Sequence, residues 1–429
     1  MKRFRSMLRN VALSAAIGAT AAASMAAQAA DTIKVGVLHS LSGTMAISET
    51  TLKDTVLMMI EEQNKAGGLL GKKLEPVVVD PASNWPLFAE KTRELISKDK
   101  VSVIFGCWTS VSRKSVLPVI EELNGLLFYP VQFEGEEGSK NVFYTGAAPN
   151  QQAIPAVDYL MEQGVKRWVL EGTDYVYPQT TNKILEAYLK AKGVAAADIK
   201  VNYTPFGFSD WTSEVAAIKK FGSAGKKTAV VSTVNGDANV PFYKELGNQG
   251  IKADDIPVIA FSVGEEELSG IDTKPLVGHL AAWNYFMSVD TPENTKFIET
   301  WKKYIKNPKR VTNDPMEATY IGFKMWVQAV QKAGSTDTDK VEQAMIGQTV
   351  TNLTGGKSVM GKNHYLSKPV LIGEIQEDGQ FAVVSQTKEV PGDEWSDFLP
   401  GSKDMIADWT APIKCGNYNT KTKTCGGAK

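Results

Sequence analysis

The sequence predicts an α/β fold of two doubly wound lobes, each built on a parallel sheet, joined by a hinge that the chain crosses several times. From Thr32 onward, short β-branched runs alternate with runs of helical periodicity, which is the pattern of a parallel sheet covered by helices. The alternation starts again after Pro149. The length also exceeds what one hydrophobic core usually supports, since single domains are mostly below about 250 residues.

The first lobe is predicted from five strand-like runs and the helices between them. The first strand covers 32–39, and Leu52, Val56 and Ile60 then recur at helical spacing until Gly67 ends the helix. The remaining elements of this lobe are expected at 74–79 (strand), 86–98 (helix), 101–105 (strand), 112–123 (helix), 126–129 (strand) and 142–145 (strand).

The second lobe is predicted from the same alternation. Its elements are expected at 153–163 (helix), 167–170 (strand), 180–192 (helix), 200–203 (strand), 212–221 (helix), 229–233 (strand), 241–246 (helix) and 257–261 (strand). Helices at 295–305, 317–333 and 339–346 need a sheet to cover and are assigned to the first lobe. Strands at 370–376 and 381–385 form a hairpin on the second lobe. The lobes are thus 30–147 with 285–350, and 148–284 with 351–412.

Residues 1–29 have the features of a signal peptide. Four basic residues precede the apolar run 11–25, and Ala27-Gln28-Ala29 fits the cleavage rule, which predicts cleavage before Ala30 and a periplasmic mature chain. The alternative is an N-terminal membrane anchor. Removing the leader changes the formal net charge from -1 to -5, because four positive charges leave with it. A mildly acidic chain without a basic stripe argues against nucleic acid as a partner.

The three cysteines divide into a tail pair and a single residue. Cys415 and Cys425, in the tail 413–429, are predicted to form a disulfide in an oxidising periplasm, because a metal site would need more ligands than this segment offers. Cys107 is expected to be a small buried residue. His39, His279 and His364 lie in unrelated contexts, and no nucleophile elbow, zinc motif or P-loop occurs. The sequence therefore predicts neither an enzyme nor a bound cofactor.

A ligand cleft is expected beyond the carboxyl ends of the strands, where neutral polar and aromatic side chains recur. For any single aromatic residue, core packing is an equally consistent role, and Glu265 and Glu266 also fit a solvated helix start. Arg113 and Lys114 are expected to face solvent or to pin their helix. The candidate site residues are Trp108, Thr109, Ser110, Tyr129, Val131 and Gln132 from the first lobe, and Asp174, Tyr175, Tyr177, Thr233, Asn235, Glu265 and Glu266 from the second.

Five segments together resemble a known family. They are 106–118 (GCWTSVSRKSVLP), 128–135 (FYPVQFEG), 144–152 (YTGAAPNQQ), 314–318 (DPMEA) and 362–369 (KNHYLSKP). On these residues the chain resembles the periplasmic substrate-binding proteins of ABC transporters in the branched-chain amino acid and amide class, and most closely the urea-binding members. The resemblance covers nearly all of the mature chain. It departs at 351–358, where the family tends to have a proline-containing turn, and in the cysteine-containing tail.

The resemblance implies a type I periplasmic binding protein that holds urea in the cleft and delivers it to inner-membrane permease subunits. Related amide sensors carry Tyr-Met-Ser where this chain has Trp108-Thr109-Ser110, and Thr-Pro at Val131-Gln132, which favours urea. A receptor for acetamide, formamide or branched-chain amino acids, and a periplasmic amidohydrolase, are the alternatives. The family positions carried over are Trp108, Ser110, Tyr129, Val131, Tyr175, Tyr177 and Thr233.

Overall fold

The computed structural model describes residues 31–400 and two short strands beyond them, β15 (Tyr418–Asn419) and β16 (Thr424–Cys425). The predicted leader and the predicted Cys415–Cys425 disulfide lie outside the described residues and side chains. None of the helices within 31–400 combines the length and the apolar character that crossing a membrane requires.

Strands and helices alternate along most of the described chain. In order they are β1 (Ile33–Leu38), α1 (Ala46–Lys65), β2 (Leu74–Val79), α2 (Trp85–Ser97), β3 (Val103–Gly106), α3 (Ser110–Glu122), β4 (Leu127–Tyr129), β5 (Val142–Tyr144), α4 (Ala153–Glu162), β6 (Arg167–Thr173), α5 (Val176–Ala191), β7 (Ile199–Thr204), α6 (Thr212–Gly222), β8 (Thr228–Thr233), α7 (Asn239–Asn248), β9 (Val258–Ala260), α8 (Glu265–Leu268), β10 (Leu280–Trp283), α9 (Pro292–Ile305), α10 (Asp314–Ala333), α11 (Thr338–Met345), β11 (Thr349–Thr351), β12 (Lys357–Val359), β13 (Leu371–Ile375) and β14 (Phe381–Gln386).

The first lobe is built on a parallel sheet with the strand order β2-β1-β3-β4-β5. Its central strands are apolar because helices cover both faces, so that Val35 and Val37 of β1 and Ile104 and Phe105 of β3 are all buried. Phe105 stacks on Phe128 of β4, with ring centroids 5.0 Å apart. This sheet confirms the predicted parallel architecture of the first lobe.

The second lobe is built on a larger sheet with the order β14-β13-β10-β9-β8-β6-β7. The strands from β10 to β7 are parallel, and the hairpin β13–β14 adds an antiparallel edge. This edge is the hairpin predicted at 370–385. The two sheets together confirm the predicted fold class.

The chain returns to the first lobe after β10. Phe323 and Trp326 of α10 pack on Phe105, with ring centroids 5.4 and 6.0 Å away. Met360 and Leu366 are buried in the same apolar cluster. The predicted lobe division at 350/351 places 351–366 in the second lobe, whereas this packing associates Met360 and Leu366 with the first.

Gln151, Asn284 and Pro369 meet where the chain passes between the lobes. The Asn284 side-chain amide donates hydrogen bonds to the carbonyl oxygens of Gln151, at 2.9 Å, and of Pro369, at 2.7 Å. The Asn284 backbone N–H donates to Asp314 at 2.8 Å. Because these residues lie on different passages between the lobes, one asparagine ties the crossing segments together.

Candidate ligand-binding site between the lobes

The two lobes meet across a closed cleft at the carboxyl ends of their strands. Gln132 of the first lobe and Ser262 of the second are both buried and directly bonded. The contacts that join the lobes here are Gln132 Nε2 to Ser262 Oγ (2.7 Å), Ser48 Oγ to Glu267 Oε1 (2.6 Å), the Asp237 backbone N–H to the Thr44 carbonyl (3.2 Å) and the rings of Trp85 and Phe206 (5.3 Å).

A sharp turn places the first-lobe half of the site. Cys107, directly after β3, has φ 65°, a left-handed conformation that is uncommon outside glycine and costs about 1 kcal/mol or more. Thr109 then caps α3, since its Oγ1 accepts the Ser112 backbone N–H at 3.1 Å. This turn brings Ser110, the first residue of α3, into the cleft. Cys107 itself is buried and free, as expected, and burial raises the pKa of its thiol.

Ser110 belongs to a buried lattice of charges. Its hydroxyl donates to Glu134 Oε2 at 2.5 Å. Arg113 donates through Nη2 to Glu134 at 3.0 Å and through Nε to Glu137 at 2.9 Å, and Lys114 donates to Glu137 at 2.8 Å. All four charged side chains are at most 3% exposed. The expectation that Arg113 and Lys114 face solvent is wrong, because the loop after β4 supplies two carboxylates to them.

The lattice pairs two cationic side chains with two carboxyl groups, and it lowers the pKa of one of them, Glu137. Burial alone raises the pKa of Glu137, but the charges of Arg113 and Lys114 outweigh burial and bring it to about 2. The Arg113 guanidinium also lies over the rings of Tyr129 and Phe133, 4.5 and 4.6 Å from their centroids. Two cations and two carboxylates therefore cancel within one buried cluster.

The loop that carries these acids is held from the outside by the segment 391–396. The Glu136 backbone N–H donates to the Glu394 carbonyl at 2.8 Å, and the Ser396 N–H donates to Glu136 Oε1 at 2.7 Å. Tyr365 donates its hydroxyl to the Glu137 carbonyl at 2.6 Å. The position of Glu134 and Glu137 thus depends on residues more than two hundred positions later in the chain.

The second-lobe half of the site is uncharged. Tyr175 donates its hydroxyl to Asn235 Oδ1 at 2.7 Å, and Asn235 Nδ2 donates to Ser262 Oγ at 2.6 Å. Ser262 also accepts from Gln132, so one hydrogen-bonded chain runs from Tyr175 across the cleft into the first lobe. Tyr177 lies next to Gln132 and Ser262, and its pKa is raised by burial.

Two buried polar atoms at this junction have no hydrogen-bond partner among the described residues. They are the amide oxygen of Gln132 and the hydroxyl group of Tyr177. An unpaired buried polar group costs about 1–3 kcal/mol, so such groups in a cleft point to a ligand. One is an acceptor and the other can donate a hydrogen bond.

The structure brings together six of the candidate residues, and Trp108, Thr109 and Val131 support them. The Trp108 carbonyl accepts the Tyr129 hydroxyl at 2.5 Å. A Cβ atom on residue 146 would lie 2.0 Å from the Val131 carbonyl oxygen, so only glycine fits at Gly146. The six that surround the cleft are Ser110, Tyr129, Gln132, Tyr175, Tyr177 and Asn235.

Four other candidates lie outside this cluster. Asp174 is exposed and accepts from Gln179. Thr233 donates to the Glu171 carbonyl within the sheet. Glu265 accepts the Met287 backbone N–H at 2.6 Å, and Glu266 lies 3.7 Å from Arg310. Glu267, rather than these two, reaches across the cleft mouth to Ser48.

Sequence reasoning missed Arg113, Glu134, Glu137 and Ser262 as site residues. A signal was available, because a basic pair after β3 and acids after the neighbouring β4 must lie at the same sheet edge. Ser262 follows β9 as Asn235 follows β8. Each of these residues therefore lies shortly after a strand end, which is where the sequence predicts the ligand cleft.

The histidines of the described residues are dispersed rather than gathered at the cleft. Within the described chain, no three His, Cys, Asp or Glu side chains gather as a metal site. His39 bonds Glu49, His279 accepts the Val258 N–H, and His364 bonds Glu342, all in separate places. The cleft instead offers neutral hydrogen-bonding groups around a balanced set of charges.

Comparisons with known proteins agree with this geometry. The family described as "Periplasmic binding protein domain" matches residues 33–401. The Leu/Ile/Val-binding protein homolog 6 of Brucella melitensis biotype 1 is 26% identical over 392 residues, which cover 88% of this chain and 97% of the relative. The curated relatives include a second such protein, homolog 7 of the same organism, at 26% identity over 84% of this chain and 92% of its own.

Solved structures share the fold at lower identity. A solute-binding protein of an ABC transporter from Rhodopseudomonas palustris HaA2, in complex with p-hydroxybenzoic acid, superposes with a TM-score of 0.73 at 20% identity over 85% of this chain and 99% of its own. A leucine-binding protein from Thermotoga maritima MSB8 gives 0.67 at 20% identity over 83% and 99%. The chain belongs to the periplasmic binding protein family.

Proposed function

We propose that this chain is a periplasmic receptor that closes over urea and delivers it to the permease of an inner-membrane ABC transporter. The observation that carries the proposal is that the closed cleft buries two polar atoms, Gln132 Oε1 and Tyr177 Oη, for which the described residues supply no hydrogen-bond partner. A neutral ligand fits a neutral site. A small ligand fits lobes that already touch through Gln132 and Ser262.

Urea has the hydrogen-bonding groups that these atoms call for. Its carbonyl oxygen accepts from the Tyr177 hydroxyl, and its four N–H groups donate to Gln132 Oε1 and to the open acceptor positions of Glu134. Short amides share part of this chemistry, which keeps acetamide and formamide as the second candidate. The p-hydroxybenzoic acid named for one structural neighbour is an anion at neutral pH, whereas the positive charges of Arg113 and Lys114 are already paired with Glu134 and Glu137.

Isothermal titration of the mature protein with four ligands tests this assignment. We expect saturable heat with urea, weaker heat with acetamide and formamide, and none with leucine. Binding of acetamide without urea would reassign the protein as an amide receptor, and saturable leucine binding would reassign it as an amino acid receptor. Ammonia release from urea above background would support the amidohydrolase alternative instead.

The hydroxyl of Tyr177 provides a point test with a matched control. Tyr177→Phe is expected to weaken urea binding by about 1–3 kcal/mol, because the ligand loses a hydrogen-bond donor in a dry site. Tyr243 is also buried in the second lobe and its hydroxyl also has no partner among the described residues, so Tyr243→Phe removes the same group outside the cleft. Equal urea affinity in both variants would contradict the proposed ligand position.

Export through the predicted leader is part of the same proposal. Cleavage before Ala30 would place the mature chain in the periplasm, where the family acts. Expression of the full chain in a Gram-negative host, followed by N-terminal sequencing of the periplasmic fraction, is expected to give Ala30 as the first residue. Retention of residues 1–29 in a membrane fraction would indicate an anchor.

A further inference from the structure

We infer that Glu134 sets the charge selectivity of the cleft: its carboxylate accepts ligands that bring N–H donors and repels ligands that bring a carboxylate. The inference rests on the proposed function, since it concerns the same site. It names the residue by which the cleft distinguishes urea and amides from carboxylates of nearly the same shape. Glu134 was not among the residues that the sequence singled out.

Glu134 and Glu137 are equally buried but differ in how far their oxygens are occupied. Glu137 receives Arg113 Nε at 2.9 Å, Lys114 at 2.8 Å and the Tyr144 hydroxyl at 2.8 Å, with Arg113 Nη2 at 3.4 Å. A carboxylate offers about four acceptor positions, so Glu137 is saturated. It acts as the counter-ion of the two cations.

Glu134 has acceptor positions to spare. Within hydrogen-bond distance it receives only the Ser110 hydroxyl at 2.5 Å and Arg113 Nη2 at 3.0 Å among the described residues, while Lys114 lies 3.7 Å away. About two of its acceptor positions therefore remain for a ligand. Ser110 and Arg113, both from the first lobe, hold the carboxylate in place.

Glu134 lies beside the tyrosines of the cleft, because its partner Ser110 directly precedes Val111, which packs in one apolar cluster with Tyr175 and Tyr177. Its negative charge contributes to raising the pKa of Tyr129, Tyr175 and Tyr177, after the larger effect of burial. Tyr175 and Tyr177 belong to the second lobe, so Glu134 reaches the space between the lobes. A ligand carboxylate placed there would meet a like charge, which costs several kcal/mol in a desolvated interface.

The first test compares acetamide with acetate on the unchanged protein, because these ligands have nearly the same shape and differ in charge. We expect acetamide to bind at least about tenfold more tightly than acetate at pH 7. Acetate affinity equal to that of acetamide would overturn the inference. This measurement needs no variant and does not depend on whether a substitution is tolerated.

The second test uses Glu134→Gln, which keeps the shape and removes the charge. The variant is expected to bind urea at least about tenfold more weakly and acetate at least about tenfold more tightly than the unchanged protein, because Arg113 and Lys114 then face Glu137 alone. Glu171→Gln is the matched control: it replaces a buried carboxyl group of β6, bonded to Asn202 outside the cleft, and leaves the ratio of the two affinities unchanged.

The outcomes separate this inference from the proposed function. If acetamide binds and urea does not, the urea assignment fails. The comparison of acetamide affinity with acetate affinity still tests the role of Glu134. If urea binds and Glu134→Gln leaves the ratio of urea to acetate affinity unchanged, the inference fails alone. If urea, acetamide and formamide all fail to bind the unchanged protein, both fall. Should Glu134→Gln not fold, as seen by near-ultraviolet circular dichroism, the acetamide and acetate pair decides.

Discussion

Glu137 of the first lobe and Glu265 of the second are both buried, but their pKa values shift in opposite directions. In the first lobe, Glu137 is fully buried beside Arg113 and Lys114, and its pKa is about 2. In the second lobe, Glu265 is just as buried but accepts only a backbone N–H and lies near further acids, so burial raises its pKa to about 8. Glu171 of the second sheet has a pKa raised by burial to about 7.

The difference shows that burial alone does not make a charged site. A buried acid stays ionised only where the fold supplies cations, and otherwise it keeps its proton near neutral pH. The first-lobe half of the cleft therefore carries fixed charges, whereas the second-lobe half presents hydroxyl and amide groups. Under the proposed role of Glu134, the first lobe discriminates ligands by charge and the second lobe contributes neutral hydrogen-bonding groups.

The largest expected effect comes from breaking the charged half. Arg113→Met leaves Glu134 and Glu137 with Lys114 as their remaining cation, and removing one partner from a buried ion pair costs about 3–5 kcal/mol. We expect a loss of this size in the free energy of unfolding. Guanidinium chloride denaturation is the suitable measurement, because urea is the proposed ligand.

Arg93→Met is the matched control for that experiment. Arg93 pairs with Glu122 at 2.6 Å, but the two side chains are 47% and 59% exposed. Exposed pairs contribute about 0–1 kcal/mol, so the control should change stability little. Similar losses in Arg113→Met and Arg93→Met would mean that the buried lattice has no special role.

The sequence predicted the fold and the strand ends that form the cleft better than it predicted the charged side chains of the first lobe. Alternating strands and helices fix where strands end, and Tyr175, Tyr177 and Asn235 follow such ends directly. Arg113 and Lys114 were placed wrongly because helical spacing does not say which face of α3 is covered. That depends on the loop 133–138, which is held by Tyr365 and by 391–396, far along the chain.

At α8, the sequence could not predict which of three adjacent acids faces the other lobe. Glu265, Glu266 and Glu267 are adjacent in sequence, and a helical turn sends each in a different direction. Only Glu267 reaches Ser48 across the cleft mouth, at 2.6 Å. A rotation of one residue decides which acid faces the other lobe, and composition does not fix that rotation.

A smaller effect is expected from breaking the neutral half. Ser262→Ala leaves the amide N–H groups of Gln132 and Asn235 without their shared acceptor in the closed cleft, which costs about 1–3 kcal/mol. Urea affinity should fall accordingly, while the free energy of unfolding changes less than in Arg113→Met. Titration calorimetry with urea measures the first quantity. Ser269→Ala removes an exposed hydroxyl beyond α8 and should leave urea binding intact. Unchanged affinity in Ser262→Ala would mean that this serine does not help to close the cleft.

The last expected effect is a change in the slope of stability against pH at Glu265. Its folded-state pKa, about 8, lies above the ordinary value of 4.5, so between these pH values the folded protein holds a proton that the unfolded chain has released. This group's contribution to the free energy of unfolding therefore falls as pH rises from about 4.5 to about 8, by at most about 1.4 kcal/mol per pH unit.

Glu265→Gln removes that slope, so the variant should gain stability relative to the parent at pH 8. Denaturation curves at pH 5.5, 6.5 and 7.5 measure the slope, and the exposed Glu293→Gln serves as control. Parallel slopes in Glu265→Gln and the parent would mean that Glu265 is ionised in the folded state, and the contrast between the lobes would then fail at this residue.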